Sequence, residues 1–140
     1  MSRLLLVTAL TLLLLPACGP KDSGGSPDTA AGEAAGARRD VDIHELKSTL
    51  DAGKIHLFDV RSRSEHYAAH VPAATLLPIA ELQAGRRAEV EALRGEEIWL
   101  ICQSGGRSSK AADLLVAEGY TVVNVTGGTG AWIEAGYPVD

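Results

Sequence analysis

The chain has 140 residues and a formal net charge of −5, set by 13 basic and 18 acidic side chains. That mild balance argues against a nucleic-acid partner, because the basic residues are scattered and only two Trp, three Tyr and one Phe are present to stack on bases. Two cysteines are too few for a disulfide framework, and a domain of this size buries its core without one.

Arg3 is followed by an unbroken apolar or hydroxyl run from Leu4 to Leu15. A bilayer span takes about 20 apolar residues, so the run is too short to cross and suits the core of a signal peptide. It closes in Leu15-Pro16-Ala17-Cys18, which resembles the bacterial lipoprotein box, where cleavage precedes the cysteine and the cysteine takes the lipid. The expected organisation is a signal peptide over residues 1–17, a tether over 18–38 that starts at lipidated Cys18, and a folded domain over 39–140. From Gly19 to about Ala37 there is almost nothing to bury, so the tether cannot offset its own ordering entropy. Arg38-Arg39 lies well downstream of the apolar run and is no twin-arginine export signal.

Within the domain, Asp42 reads as an N-cap with Glu45 three residues on, and Ile43, Leu46 and Leu50 follow at helical spacing as far as Gly53. The run Ile55 to Val60 is rich in β-formers and predicts a buried strand ending near Asp59. Ser62 and Glu65 repeat the capping-box spacing and open a short helix through Tyr67. Ala74 to Leu77 predicts a brief strand closed by Pro78. Ile79 to Val90, with Leu93, carries helical spacing interrupted near Gly85 and stopped at Gly95. Ile98 to Ile101 predicts a strand, Ser108 to Glu118 an amphipathic helix ended by Gly119, and Thr121 to Val125 a last strand. Gly127-Gly128-Thr129-Gly130 lacks the full dinucleotide spacing and reads as a turn that sets a short helix around Trp132 in the core. Strands that alternate with helices and run continuously apolar imply an α/β fold with a parallel sheet covered on both faces, and such sheets bind ligands outside the carboxyl ends of their strands.

Cys102 lies at one of those ends. Gln103-Ser104-Gly105-Gly106 link it to a helix, and the two glycines let several unpartnered backbone N–H groups converge into an anion cradle. With a cysteine at its mouth, the anion can be the thiolate itself, favoured by the amides, the helix dipole and Arg107. With Cys18 lipidated, Cys102 has no partner for an internal disulfide, and an oxidising compartment then leaves it a lone reactive thiol. A single cysteine without a second ligand nearby has no zinc spacing, so no metal is expected. The sequence does not decide which of His44, His56, His66 and His70 approaches the cysteine.

Cys102-Gln103-Ser104-Gly105-Gly106-Arg107-Ser108 resembles the active-site loop of rhodanese-like sulfurtransferases. The likeness extends through Phe58-Asp59-Val60-Arg61, Glu65, and His70-Val71-Pro72-Ala73-Ala74 to Val125-Thr126-Gly127-Gly128, Ala131-Trp132 and Ala135-Gly136-Tyr137-Pro138-Val139. This resemblance implies a mainly parallel five-stranded sheet with helices on both faces. It also implies that Cys102 takes a sulfane sulfur from a donor such as thiosulfate and passes it to cyanide or a thiol, with no cofactor. The amides of Gln103, Ser104, Gly105, Gly106 and Arg107 would hold the terminal sulfur, Arg107 would orient the loop, and Asp59 and Arg61 would shape the site. Ala69 and Ala73 stand where the family usually has glycine, and Arg107 is the loop's only charged member.

Two other readings compete. A non-catalytic module that carries sulfur or binds a partner at the membrane would also keep Cys102 and Arg107. A phosphatase or arsenate reductase would use a similar cradle, but phosphatases of this fold have five residues between cysteine and arginine, against four here. The expected setting is the bacterial cell envelope, with the lipid anchor in a membrane facing the periplasm. Gly19 after the lipid cysteine leans toward the outer membrane, and a monomer is expected.

Overall fold

The computed structural model describes residues 36–140. The signal segment, Cys18 and most of the tether lie outside the described residues. Five strands form one sheet in the order β1-β5-β4-β2-β3, and all four pairings are parallel, so every strand presents its carboxyl end at the same edge. In chain order the elements are β1 (Arg38–Val41), α1 (Ile43–Ala52), β2 (His56–Asp59), α2 (Arg63–Ala68), β3 (Thr75–Leu76), α3 (Ile79–Gln83), α4 (Ala88–Glu91), β4 (Glu97–Ile101), α5 (Gly106–Ala117), β5 (Thr121–Val125) and α6 (Gly128–Glu134).

Side-chain alternation along the central strands divides the core in two. Ile98, Leu100 and Cys102 face one side with Phe58, Val122 and the α5 residues Ala111, Ala112 and Leu115. Trp99 and Ile101 face the other with Leu57, Val123, Val125 and Trp132, under Ile43 and Leu46 of α1. Each face thus buries a continuous apolar layer, as a sheet covered by helices must. Trp132 is buried, and its indole N–H donates to the Pro138 carbonyl at 2.7 Å.

The fifth strand, β1, is one that the apolar pattern does not announce. Its four residues, Arg-Arg-Asp-Val, pair in register with Val122 to Val125 of β5, and the Ala37 carbonyl just before it accepts the Val122 N–H at 2.8 Å. Helical spacing predicted the remaining helices well, and the interruption near Gly85 separates α3 from α4. Asp42 caps α1 as expected, accepting the N–H groups of His44 and Glu45 at 2.9 Å each. Glu45 does not return to that cap, however, because Arg39 takes its carboxylate. At α2 both halves of the capping box form between Ser62 and Glu65.

Candidate active site

Three loops meet at the carboxyl edge of the sheet because β2, β4 and β5 are neighbours: β4–α5 carries Cys102, β2–α2 carries Arg61, and β5–α6 carries the second glycine cluster. Cys102 extends the inward-facing row of β4 and is 1% exposed. Gly105, at φ +98°, turns the chain so that its own N–H donates to Cys102 Sγ at 3.1 Å, a conformation a side chain would strain. The Ser108 hydroxyl, fully buried in the first turn of α5, lies 3.5 Å from Sγ and 3.0 Å from the Gly105 carbonyl.

Burial pushes the thiol's pKa up. The Ser108 hydroxyl and the amides of Ser108, Ser104 and Gly105 outweigh it and hold the pKa below the ordinary thiol value. Of the five amides expected around the sulfur, those of Ser104 and Gly105 act on it, with Gly105 the shortest contact, while those of Gln103, Gly106 and Arg107 make no hydrogen bond to it. The sulfur also meets a donor to which the sequence reading gives no role, since Ser108 enters it as the end of the loop motif and the first residue of a helix. That helix begins two residues earlier, at Gly106.

Arg107 makes its side-chain hydrogen bonds to a carboxylate and not to the sulfur. Its guanidinium grips Glu65 on α2 through both prongs, at 2.6 and 2.8 Å, which ties the loop to the neighbouring helix. Arg107 and Ser62 hold the Glu65 carboxyl well below the usual carboxylate range. Below the loop, Asp59 and Arg61 form an almost wholly buried pair, 0% and 4% exposed. Arg61 donates to both Asp59 oxygens, to the Ala69 carbonyl at 2.6 Å and to Gln103 Oε1 at 3.2 Å. His66 Nδ1 adds a bond to Asp59 Oδ2 at 3.0 Å. A buried carboxylate that meets two cationic or polar donors, with the guanidinium's remaining edge passed on to the loop, satisfies what burial demands.

Among the described residues no histidine bonds to Cys102: His44 meets Tyr137, His56 meets Glu96, His66 meets Asp59, and His70 donates to the His66 carbonyl. No group of three or more His, Cys, Asp or Glu side chains among these residues converges to hold a metal.

The Gly127–Gly130 segment does more than set Trp132 in the core. The Thr129 N–H donates to the Cys102 carbonyl at 2.8 Å and the Gly130 N–H to the Gln103 carbonyl at 2.9 Å. Gly128, at φ +61°, comes so close that a Cβ there would lie 2.2 Å from the Cys102 carbonyl oxygen. The start of α6 therefore holds the cysteine loop by backbone contact. The segment's reading as a turn did not foresee that approach.

A parallel sheet of this order, with a cysteine loop at its carboxyl edge under donor hydrogen bonds, defines the rhodanese-like class. The Rhodanese-like domain family model matches residues 42–135. The human thiosulfate:glutathione sulfurtransferase is 35% identical over 106 residues, which is 67% of this chain and 92% of that protein. Thiosulfate sulfurtransferase 18 of Arabidopsis thaliana is 36% identical over 71% of this chain and 82% of its own. The solved structure of a rhodanese-related protein from Thermoplasma volcanium superposes with a TM-score of 0.62 at 32% identity, covering 73% of this chain and 97% of that one. The chain belongs to the rhodanese-like domain family, and relatives named as sulfurtransferases support a role in sulfur transfer.

Proposed function

We propose that the protein is a sulfurtransferase that works through a Cys102 persulfide. The observation that carries this reading is the convergence of the Gly105 N–H and the Ser108 hydroxyl on Cys102 Sγ, at 3.1 and 3.5 Å, inside a loop that the Arg107–Glu65 pair ties to α2. Donors aimed at sulfur favour the thiolate, which is the nucleophile. In the first half-reaction the thiolate attacks the outer sulfur of thiosulfate: a Cys102 S–S bond forms, the donor's S–S bond breaks, and sulfite leaves with the electron pair. The same donors then serve the negative terminal sulfur, as preorganised donors serve an oxyanion. In the second half-reaction cyanide or a thiolate attacks that terminal sulfur, and Cys102 leaves as thiolate.

Two half-reactions that share one enzyme-bound intermediate give ping-pong kinetics. Initial rates with thiosulfate and cyanide varied together should give parallel double-reciprocal lines, and intersecting lines would oppose the reading.

The sequence features before residue 36 support a second proposal, that the domain is anchored through a lipid on Cys18 at a membrane facing the periplasm. Palmitate label that is lost on Cys18→Ala supports it, and undiminished label ends it.

A further inference from the structure

Gln103 follows the nucleophile directly, and its side chain is held by one end. Arg61 Nη1 donates to Gln103 Oε1 at 3.2 Å. A guanidinium has donors and no acceptor, so the amide must turn its oxygen to Arg61 and its NH₂ away from it. Arg61 is fixed, since its other donors sit on Asp59 and on the Ala69 carbonyl and the residue is 4% exposed. The amino end lies beside Gly130, where a Cβ would stand 3.1 Å from the Gln103 carbonyl oxygen and 3.2 Å from Nε2, so a glycine there leaves room for both the loop backbone and the arm. Among the described residues the side chain's hydrogen bonds end with Arg61, and its two N–H donors remain open on an exposed residue at the loop's rim.

We propose that Gln103 selects the sulfur donor. Its fixed amide donates to an oxygen of an oxyanionic donor, the class of thiosulfate and organic thiosulfonates, and offers no such contact to a donor made of sulfur alone. The inference rests on the sulfur-transfer reading of Cys102. It follows from what the loop lacks as well: residues 102–106 carry no cationic side chain, and Arg107 is engaged on Glu65. The Gln103 amide is thus the loop's open side-chain N–H donor held in a set orientation. As the Cys102 thiolate bonds to the outer sulfur and the donor's S–S bond breaks, the electron pair departs on sulfite, whose oxygens keep the amide contact until release. The contact is made in both ground and transition states, so it acts on donor affinity more than on the transfer step.

The test compares loading of the full chain by thiosulfate and by inorganic tetrasulfide, following the Cys102 persulfide by quenched intact-mass measurement. One hydrogen bond to a charged oxygen is worth about tenfold. Gln103→Met keeps the arm's length without its donors. It should lower the ratio of second-order loading constants, thiosulfate over tetrasulfide, by about tenfold, with the loss in apparent affinity and not in the limiting rate. A wild type that loads from both donors and a Gln103→Met ratio that does not change overturn this proposal alone. A wild type that loads from neither overturns the sulfur-transfer reading with it.

Discussion

Glu65 and Arg107, 42 residues apart, form a two-pronged ion pair in which Nη2 meets Oε1 at 2.6 Å and Nη1 meets Oε2 at 2.8 Å. Oε2 also accepts the Ser62 N–H at 3.0 Å and the Ser62 hydroxyl at 2.7 Å. One carboxylate therefore closes the cap of α2 and anchors the cysteine loop.

Glu65→Gln should lower stability and slow sulfur loading together. The cap contributes about 1 kcal/mol, and a partly exposed pair adds less than about 1 kcal/mol after screening. Arg107 holds the Glu65 pKa below its ordinary 4.5. A depressed carboxylate stabilises the fold above its unfolded pKa and loses that contribution as pH falls toward the folded value. Urea midpoints should thus separate wild type from Glu65→Gln at pH 7 and draw together as pH drops below 4.5.

Ser108→Ala should raise the pH at which Cys102 becomes reactive, because it removes a hydroxyl that lowers the thiol pKa while burial goes on raising it. Iodoacetamide rates against pH measure this directly. The wild-type midpoint should lie below the ordinary 9.0, and that of the variant should lie above the wild type's. The hydroxyl's single hydrogen is shared between Cys102 Sγ and the Gly105 carbonyl, so its loss should cost about 1 kcal/mol of stability in all.

Gly128→Ala tests the support behind the loop. Its Cβ would fall 2.2 Å from the Cys102 carbonyl oxygen and 2.7 Å from the Gln103 carbonyl, so the loop or α6 must move. Overpacking together with a left-handed backbone should cost about 2–5 kcal/mol, read as a denaturant midpoint shift, and loading of Cys102 should fall further than the fraction folded.

Ala73 holds φ +69°, the one described non-glycine residue with positive φ. Ala73→Gly should stabilise the protein by up to about 1 kcal/mol, the relief of left-handed strain exceeding the greater freedom of glycine in the unfolded chain. The residue is exposed, so its methyl loses little burial, and thermal unfolding measures the gain. Positions 69 and 73 are both alanine where the family usually has glycine. Only 73 needs the left-handed turn, since Ala69 is extended at φ −171°.

The sheet's centre was legible because its residues carry their own signal. Ile98 to Ile101 is an apolar run, and its period of two assigns Cys102 to the α5 face. β1 was not legible for the opposite reason. Only Val41 of its four residues is buried, and its arginines are satisfied far along the chain, Arg38 on Asp113 and Arg39 on Glu97. Each arginine also pairs close by, Arg38 with Asp40 and Arg39 with Glu45, but nothing in the apolar pattern distinguishes such an edge strand from a polar tether. At the site, Cys102 and Arg107 announced themselves by spacing, and Glu65 by its capping box. Ser108, Gly128 and Thr129 did not, because their contacts arise when three loops from separate strands meet.

Intact mass tests most directly whether Cys102 is the sulfur carrier. The full chain treated with thiosulfate and freed of excess reagent should gain one sulfur, about 32 Da, on the peptide that contains Cys102, and should lose it on brief exposure to cyanide with release of thiocyanate. No such gain with any sulfane donor, or an equal gain in Cys102→Ser, would contradict that role.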